Sequence, residues 1–356
     1  MYTILIDSAN TTSAGTGNVT KILLSHLNRN NKDFKIIFYV PIDFVQPPEK
    51  NSLILIKKIK AFSLYYFINL IFDLYFINPD KIIVLANYNI FPTSGKKIIF
   101  MRHPYLVKLI DEIQIPFIQK AKEILRRLIF RISTLSSDFI VTQTKLMHDK
   151  TKLIYNIPTE KMRILKNPIM LNIAKPNKNG RNNDIIYISR FHPHKNHLFI
   201  FNLVDKYYNY FLQNNISITL TIGNSYIDDD LKRYLSKYPI RNIIRNIGEI
   251  NIEDLYYYYH NAFIHFFPSK AETFGNPLIE SICFGVPLVV PDLPYAKELC
   301  QGCALFYRHE DIDDAFNKIK QLFESNECWS QLFEGCIIES NTFINISQWW
   351  NELISF

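Results

Sequence analysis

Nothing in the chain constrains its architecture more than the run Ala262-Phe-Ile-His-Phe266-Phe-Pro-Ser-Lys-Ala-Glu272-Thr-Phe-Gly275-Asn-Pro-Leu-Ile-Glu280-Ser-Ile-Cys-Phe-Gly285-Val-Pro287-Leu-Val-Val290. A short apolar run, Ala262–Phe266, ends in a polar loop. Helical spacing begins near Gly275, and a second apolar run, Pro287–Val290, follows Gly285. Two short apolar strands joined through one helix predict a parallel pair with a crossover, covered on both faces. Glu272 then falls in the loop before the helix and Glu280 about a turn and a half inside it. Loop N–H groups and the positive end of a helix suit an anion or sugar hydroxyls. Ionised carboxylates accept from hydroxyl donors. On spacing alone, the two acids serve equally well as hydroxyl ligands or as plain surface charges.

The same alternation extends in both directions. Upstream, Tyr2–Ile6, Phe34–Val40, Lys81–Leu85, Lys97–Met101 and Asp138–Thr142 read as strands. Asp184–Ile188, Ile216–Ile222 and Asn242–Ile247 continue the series, most of them followed by a helix. The expected class is α/β, with two doubly wound domains and a crevice between them for ligands. Pro168, Pro176, Gly180 and many Asn and Lys break the pattern and predict a linker. The expected layout is a first domain over residues 1–166, a linker over 167–183, a second domain over 184–340 and a returning helix over 341–356.

Composition narrows the function. Of 356 residues, 48% are hydrophobic and 21% charged, enough to build cores and against disorder. The net charge of +7 conceals an asymmetry. Residues 1–180 hold 26 Lys/Arg against 12 Asp/Glu, and residues 181–356 hold 14 against 21. A basic half beside an acidic half points to an anionic surface met by the first domain alone. Within it, Gln119–Arg131 places Ile124, Leu125, Leu128 and Ile129 on one helix face beside Lys122, Arg126 and Arg127, with Lys57, Lys58 and Lys60 adding charge. Such a helix can lie on an anionic bilayer, or it can pack on its sheet with a solvated cationic face. Nucleic acid is not expected, because the charge comes without a basic and aromatic recognition motif. No secretory signal is expected at the N-terminus. Ala61–Phe72 is free of charge for 12 residues, which suits a buried helix better than a span of about 20. Five cysteines, all after residue 280 and with one lone Cys300-Gln-Gly-Cys303, read as reduced thiols rather than zinc ligands.

Several stretches share a further likeness. Pro268-Ser-x-x-Glu272-x-Phe-Gly275 with Glu280 and Gly285-Val-Pro-Leu-Val-Val resembles the retaining glycosyltransferases of family 4, whose fold is called GT-B. Ile186-Tyr-Ile-Ser-Arg190-Phe-His-Pro-His-Lys195 is similar to that family's strand-to-loop motif. Ser136-Ser-Asp138-Phe-Ile-Val-Thr, Arg163-Ile-Leu-Lys-Asn167-Pro and Gly248-Glu-Ile with Asp254 fit as well, and Phe343–Phe356 with Trp349 and Trp350 resembles the crossing-back helix. Pro168 stands where the family usually has Gly.

The resemblance implies roles. Arg190 and Lys195 would clasp a donor diphosphate, the guanidinium bidentately and the ammonium as a compact charge. Glu280 would hold the ribose and Glu272 the donor sugar, in a loop continuing through Thr273, Phe274, Gly275 and Asn276, with Gly248 nearby. Gly15 and Gly17 of Thr11-Thr-Ser-Ala-Gly15-Thr-Gly17, or a plain tight turn there, would follow the first strand and face the donor. His103, with Arg102 as rival, would lie near the reacting bond, unless it is a structural histidine. The catalytic set is thus Glu272, His103, Arg190 and Lys195. No cofactor and no metal are implied, so His192, His194 and His197 are expected as exposed polar positions. The implied activity moves a sugar from a nucleoside-diphosphate-sugar to a lipid-linked or saccharide acceptor with retention, in bacterial surface polysaccharide assembly (O-antigen, capsule or lipopolysaccharide). The implied place is the cytoplasmic face of the membrane. A nucleotide-sugar epimerase on the same fold, or a non-catalytic partner subunit, is the alternative.

Overall fold

A computed structural model describes residues 1–11, 14–109, 117–169, 180–223, 229–236 and 240–356. They form two compact units, Met1–Met170 with Ile344–Phe356, and Leu171–Phe343. Most of the expected linker, residues 170–179, lies outside the described residues.

The first unit is built on seven parallel strands: β1 Thr3–Asp7, β2 Lys35–Val40, β3 Ile54–Lys58, β4 Lys81–Val84, β5 Lys96–Phe100, β6 Phe139–Thr142 and β7 Met162–Ile164. Their order is β3-β2-β1-β4-β5-β6-β7. The inner strands are runs of Ile, Val and Phe buried on both faces, the state in which β-branched side chains pack best. Alternate residues supply two cores. Leu5, Ile37, Tyr39, Ile82 and Ile99 face one side, with Tyr66, Leu70 and Phe130 from covering helices. Ile4, Ile6, Phe38, Ile83 and Phe100 face the other, with Leu23 and Leu24.

Trp349, Trp350 and Leu353 of the helix Ile346–Ser355 complete that second core. The helix starts in a capping box of Asn345 and Gln348, and Trp349 packs 5.6 Å from the Phe100 ring. Truncating so buried an aromatic typically costs about 3–5 kcal/mol.

The second unit has six parallel strands: β8 Asp184–Tyr187, β9 Ser217–Leu220, β10 Ile244–Asn246, β11 Ile264–Phe266, β12 Leu288–Pro291 and β13 Ala304–Tyr307. Their order is β10-β9-β8-β11-β12-β13. Both sheets thus show the arrangement in which the first strand is central and the order reverses beside it.

The run Ala61–Ile77 is not a buried helix. It forms an α-helix, Leu64–Phe72, and a π-turn, Asp73–Ile77, that bury only one stripe. Tyr66, Leu70 and Leu74 face the sheet, while Leu64, Tyr65, Ile68, Phe72, Tyr75 and Phe76 are exposed. The stripe is pinned by polar contacts: Tyr66 OH donates to Asp7 Oδ2 at 2.6 Å, and Lys57 Nζ donates to Asp73 at 2.7 and 2.9 Å. Among the described residues, no helix is long and apolar enough to cross a membrane.

Candidate active site

In the second sheet the order reverses between β8 and β11, and ligands of doubly wound sheets sit past the carboxyl ends of the strands at such a point. Loops leaving β8, β10 and β11 deliver the expected residues to that edge: Arg190 and Lys195 after β8, Gly248 after β10, and Glu272–Asn276 after β11.

Lys195 and Glu272 are brought together. Lys195 Nζ donates to Glu272 Oε1 at 2.5 Å, with the side chains 17% and 8% exposed. An ammonium carries three donors, so this bond leaves two for phosphate oxygens. The pair is held from behind. Tyr187 OH donates to the Lys195 carbonyl at 2.6 Å, Lys270 N donates to the His194 carbonyl at 2.7 Å, and Tyr295 OH donates to the Ser269 carbonyl at 2.5 Å. The β8 turn and the β11 loop are thereby fastened to one another.

Arg190 pairs elsewhere. Its Nε lies 3.5 Å from Glu249 Oε1, both side chains being about half exposed. An ion pair of this kind contributes about 0–1 kcal/mol, so it aims the guanidinium and leaves it free to engage a ligand. Glu249 in turn packs on Gly223, where an added Cβ would lie 2.7 Å from Glu249 Cγ. Asn246 clips the ends of β9 and β10, accepting from Ile222 N at 2.8 Å and donating to its carbonyl at 2.9 Å. Gly248 and Gly275 adopt φ of +78° and +74°, a region that favours glycine. At Gly275 a Cβ would also meet Leu278 at 3.0 Å and Glu272 Cγ at 3.6 Å. Phe274 is buried, so its side chain packs the loop and only its backbone can face a ligand.

Glu280 projects from the helix Asn276–Cys283 and accepts from Tyr259 OH at 2.9 Å. Burial pushes its pKa up to about 7, against a lowering by the Tyr259 hydrogen bond. The histidines are not plainly exposed. His192 and His194 face each other, Nδ1 to Nδ1, at 2.5 Å. His197 is buried between Tyr187 and Phe191. Burial, then Lys195, presses the pKa values of His194 and His197 down to about 3, which keeps both neutral. Among the described residues, no group of three or more His, Cys, Asp or Glu is placed to hold a metal ion.

The remaining predicted residues belong to the first unit. Gly15 and Gly17 sit in the first turn of the helix Ala14–Asn30, not in a loop or tight turn ahead of it. Residues 12 and 13 lie outside the described ones. A Cβ on Gly17 would touch the Thr11 carbonyl at an ordinary 3.5 Å, so the backbone does not demand glycine there. His103 ends the β5 edge and precedes a 3-10 turn, Pro104–Val107. Its Nε2 lies 3.5 Å from Arg126 Nη1. Burial, then Arg126 and Arg127, lower its pKa to about 4, so it is a neutral imidazole at pH 7.

The basic helix, Phe117–Leu135, is inverted relative to a simple packing helix. Glu123, Phe130, Ser133 and Thr134 are buried, while Ile118, Ile124, Leu125, Leu128, Ile132 and Leu135 are exposed. Arg126 and Arg127 turn inward, to Glu123 and to the Tyr105 carbonyl, leaving Lys122 and Arg131 outside. Lys57 is committed to Asp73.

Glu249, Gly223, Asn246, Tyr187 and Tyr259 shape the site and were not read from the sequence. Glu249 stands inside the quoted Gly248-Glu-Ile. Tyr187 stands inside the quoted Ile186-Tyr-Ile-Ser-Arg190 stretch, eight residues before the Lys195 carbonyl it bonds. Gly223, Asn246 and Tyr259 carry no signal in spacing, because their partners lie in distant elements.

The two parallel sheets with their interleaved helices have the GT-B fold. Sucrose-phosphate synthase of Thermosynechococcus elongatus superposes with a TM-score of 0.73 at 13% identity, covering 100% of both chains. HepE of Anabaena, solved in complex with UDP-glucose, gives 0.72 at 13% identity, again over 100% of both chains. Residues 170–332, a little under half of the chain, match the family model described as glycosyl transferases group 1. That match supports the superfamily through the second unit. A curated relative, the O-antigen chain mannosyltransferase RfbU of Salmonella typhimurium, is 24% identical over 209 residues, which are 58% of this chain and 56% of the relative. The chain thus spans little more than half the length of that relative.

Proposed function

We propose that the protein is a retaining glycosyltransferase that moves a sugar from a nucleoside-diphosphate-sugar to a lipid-linked or saccharide acceptor in surface polysaccharide assembly. The carrying observation is the Lys195–Glu272 pair at the switch point of the second sheet. It sets an ammonium, suited to phosphate oxygens, beside a carboxylate, suited to sugar hydroxyls. The group 1 match over this unit and the similarity to an O-antigen mannosyltransferase support the reading.

Arg190 and Lys195 hold the diphosphate and stabilise charge as the bond from the anomeric carbon to phosphate oxygen breaks. Glu272 accepts from the sugar hydroxyls, Glu280 from the ribose, and neutral His103 serves the reacting sugar from the first unit. The acceptor oxygen bonds to the anomeric carbon on the same face, and its proton passes to the leaving diphosphate. The reading requires no metal. The helices Leu64–Phe72 and Phe117–Leu135 pack on one side of the first sheet, and their exposed apolar faces suit an anionic membrane surface carrying the acceptor.

The experiment is transfer with a panel of nucleotide-sugars and lipid acceptors, comparing the parent with Lys195→Ala. Turnover is expected to fall a hundredfold or more with the melting temperature nearly kept, and the product to retain the donor's anomeric configuration. Near-normal turnover removes Lys195 from the site, an inverted linkage refutes the mechanism, and epimerised donor without transfer favours the epimerase.

A further inference from the structure

Two well-bonded cations of this protein show how it treats a structural positive charge. Arg181 spreads its guanidinium over three carbonyls, those of Tyr259, Ala262 and Phe284, at 3.3, 2.8 and 2.7 Å. Lys97, fully buried, donates to the Phe91 carbonyl at 2.5 Å and to Ser136 Oγ at 2.9 Å. Arg102 breaks this pattern. It is 9% exposed, and neither its Nε nor its Nη2 has a hydrogen-bond partner among the described residues. The guanidinium rests on the Phe100 ring, 5.0 Å from the centroid. Its backbone is pinned, since Asn87 Oδ1 accepts from Arg102 N at 2.7 Å and from His103 N at 3.2 Å. Burial lowers the pKa to about 10, which still leaves the group charged at pH 7.

The neighbourhood repeats the imbalance. β5 and β6 pair with Phe100 opposite Val141, and Met101 N donates to the Val141 carbonyl. Arg102 and Gln143 each stand two residues beyond the last pair of that register, Phe100 and Val141, at the carboxyl edge of the first sheet. Gln143 is 1% exposed, and its Nε2 also lacks a partner among the described residues. All three unsatisfied atoms are donors. Burying a charge is unfavourable unless it is paired, and a guanidinium edge presents two parallel N–H groups that match two oxygens of one tetrahedral anion. The carboxyl edge of a doubly wound sheet is also where ligands arrive.

We propose that Arg102 and Gln143 form an anion site carried by the first unit alone, and that it takes a phosphoryl group of a substrate. The bearer is either the acceptor, as a phosphate on a lipid carrier, or the donor. That bearer's identity rests on the proposed transferase activity, whereas anion binding does not.

The test titrates inorganic phosphate into two full-length proteins by calorimetry, Lys195→Ala and Lys195→Ala with Arg102→Met, so that Lys195 contributes to neither. At least a tenfold loss of affinity on removing Arg102 is expected. Equal affinity overturns the site. Arg102→Lys, which keeps the charge without the fork, covers failure of the methionine variant to fold and is expected to weaken phosphate at least threefold, equal affinity again overturning the site. In the otherwise unaltered enzyme, Arg102→Lys then assigns the bearer. A rise in KM confined to the acceptor assigns the acceptor's phosphate, and one confined to the donor assigns the donor's. No rise in either, where phosphate binding was lost, overturns the substrate role. Phosphate titration needs no turnover, so it decides the site even where no glycosyl transfer is found.

Discussion

Glu280→Gln isolates the stability that the site gives up in order to place a carboxylate on its helix. Burial raises the Glu280 pKa from its ordinary 4.5 to about 7. Between those values the folded protein keeps a proton that the unfolded chain has released. Stability contributed by this group therefore falls as pH rises from about 4.5 to 7 and is flat above. The span corresponds to roughly 3 kcal/mol at 1.36 kcal/mol per pH unit, an upper figure because the side chain is only partly buried. Glutamine stays neutral throughout and can still accept from Tyr259. Urea unfolding of parent and variant at pH 4.5 and pH 8 measures the difference directly. The variant is expected to match the parent at pH 4.5 and to exceed it by about 1–3 kcal/mol at pH 8, while losing nucleotide affinity. A difference independent of pH, or a variant less stable at pH 8, refutes the claim that an ionised Glu280 strains the fold.

Gly223→Ala is expected to drive Glu249 from its place, since the new Cβ would lie 2.7 Å from Glu249 Cγ. Donor KM should then rise severalfold, and adding Glu249→Ala should recover the melting temperature lost to the clash. Tyr187→Phe deletes the hydroxyl that donates to the Lys195 carbonyl and should cost about 1 kcal/mol of stability, with a fall in kcat that exceeds any change in KM. Leu125→Asp with Phe76→Asp should abolish capture by anionic liposomes without lowering the melting temperature, because both side chains are exposed, at 57% and 76%. Unchanged capture would remove these faces from the membrane reading.

What the sequence disclosed follows burial. Every interior strand of both sheets reads as an apolar run, since strands covered on both faces must be apolar throughout. The three strands that escaped, β3, β7 and β13, all lie at sheet edges. β3 is Ile-Leu-Ile-Lys-Lys, half exposed along its length, and β7 has three residues. An edge strand needs neither length nor a second apolar face. At the site, Lys195, Glu272 and Glu280 were singled out through the family resemblance of two strand-loop-helix stretches, since spacing alone left the acids open. The 77 positions between Lys195 and Glu272 hid their contact. Glu249 and Tyr259 were not singled out, because their contacts with Arg190 and Glu280 span 59 and 21 positions. The helix Phe117–Leu135 was legible as amphipathic, yet its period does not say which face is turned to water.

That last ambiguity carries a physical lesson. Periodicity predicts the buried face only where the apolar stripe has a core to enter, and here Phe130 reaches it while Leu125, Leu128 and Ile132 stay outside. The helix instead buries Glu123, neutralised by Arg126, and shows solvent the face that hydrophobicity would hide. Leu64–Phe72 behaves likewise on the same side of the sheet. Two helices on the same side of the first sheet thus expose apolar faces, more than scattered surface leucines explain, and exposed apolar faces mark interaction surfaces. The buried unpaired guanidinium of Arg102 and the raised pKa of Glu280 are departures of the same kind. Each forfeits stability that an apolar or neutral residue would supply, and local rules are broken in this way chiefly where function demands it. Were these features structural, neutralising Arg102 or Glu280 and adding charge to the exposed face should all destabilise the protein. If they serve ligands and a membrane, stability should hold or rise in every case while binding is lost.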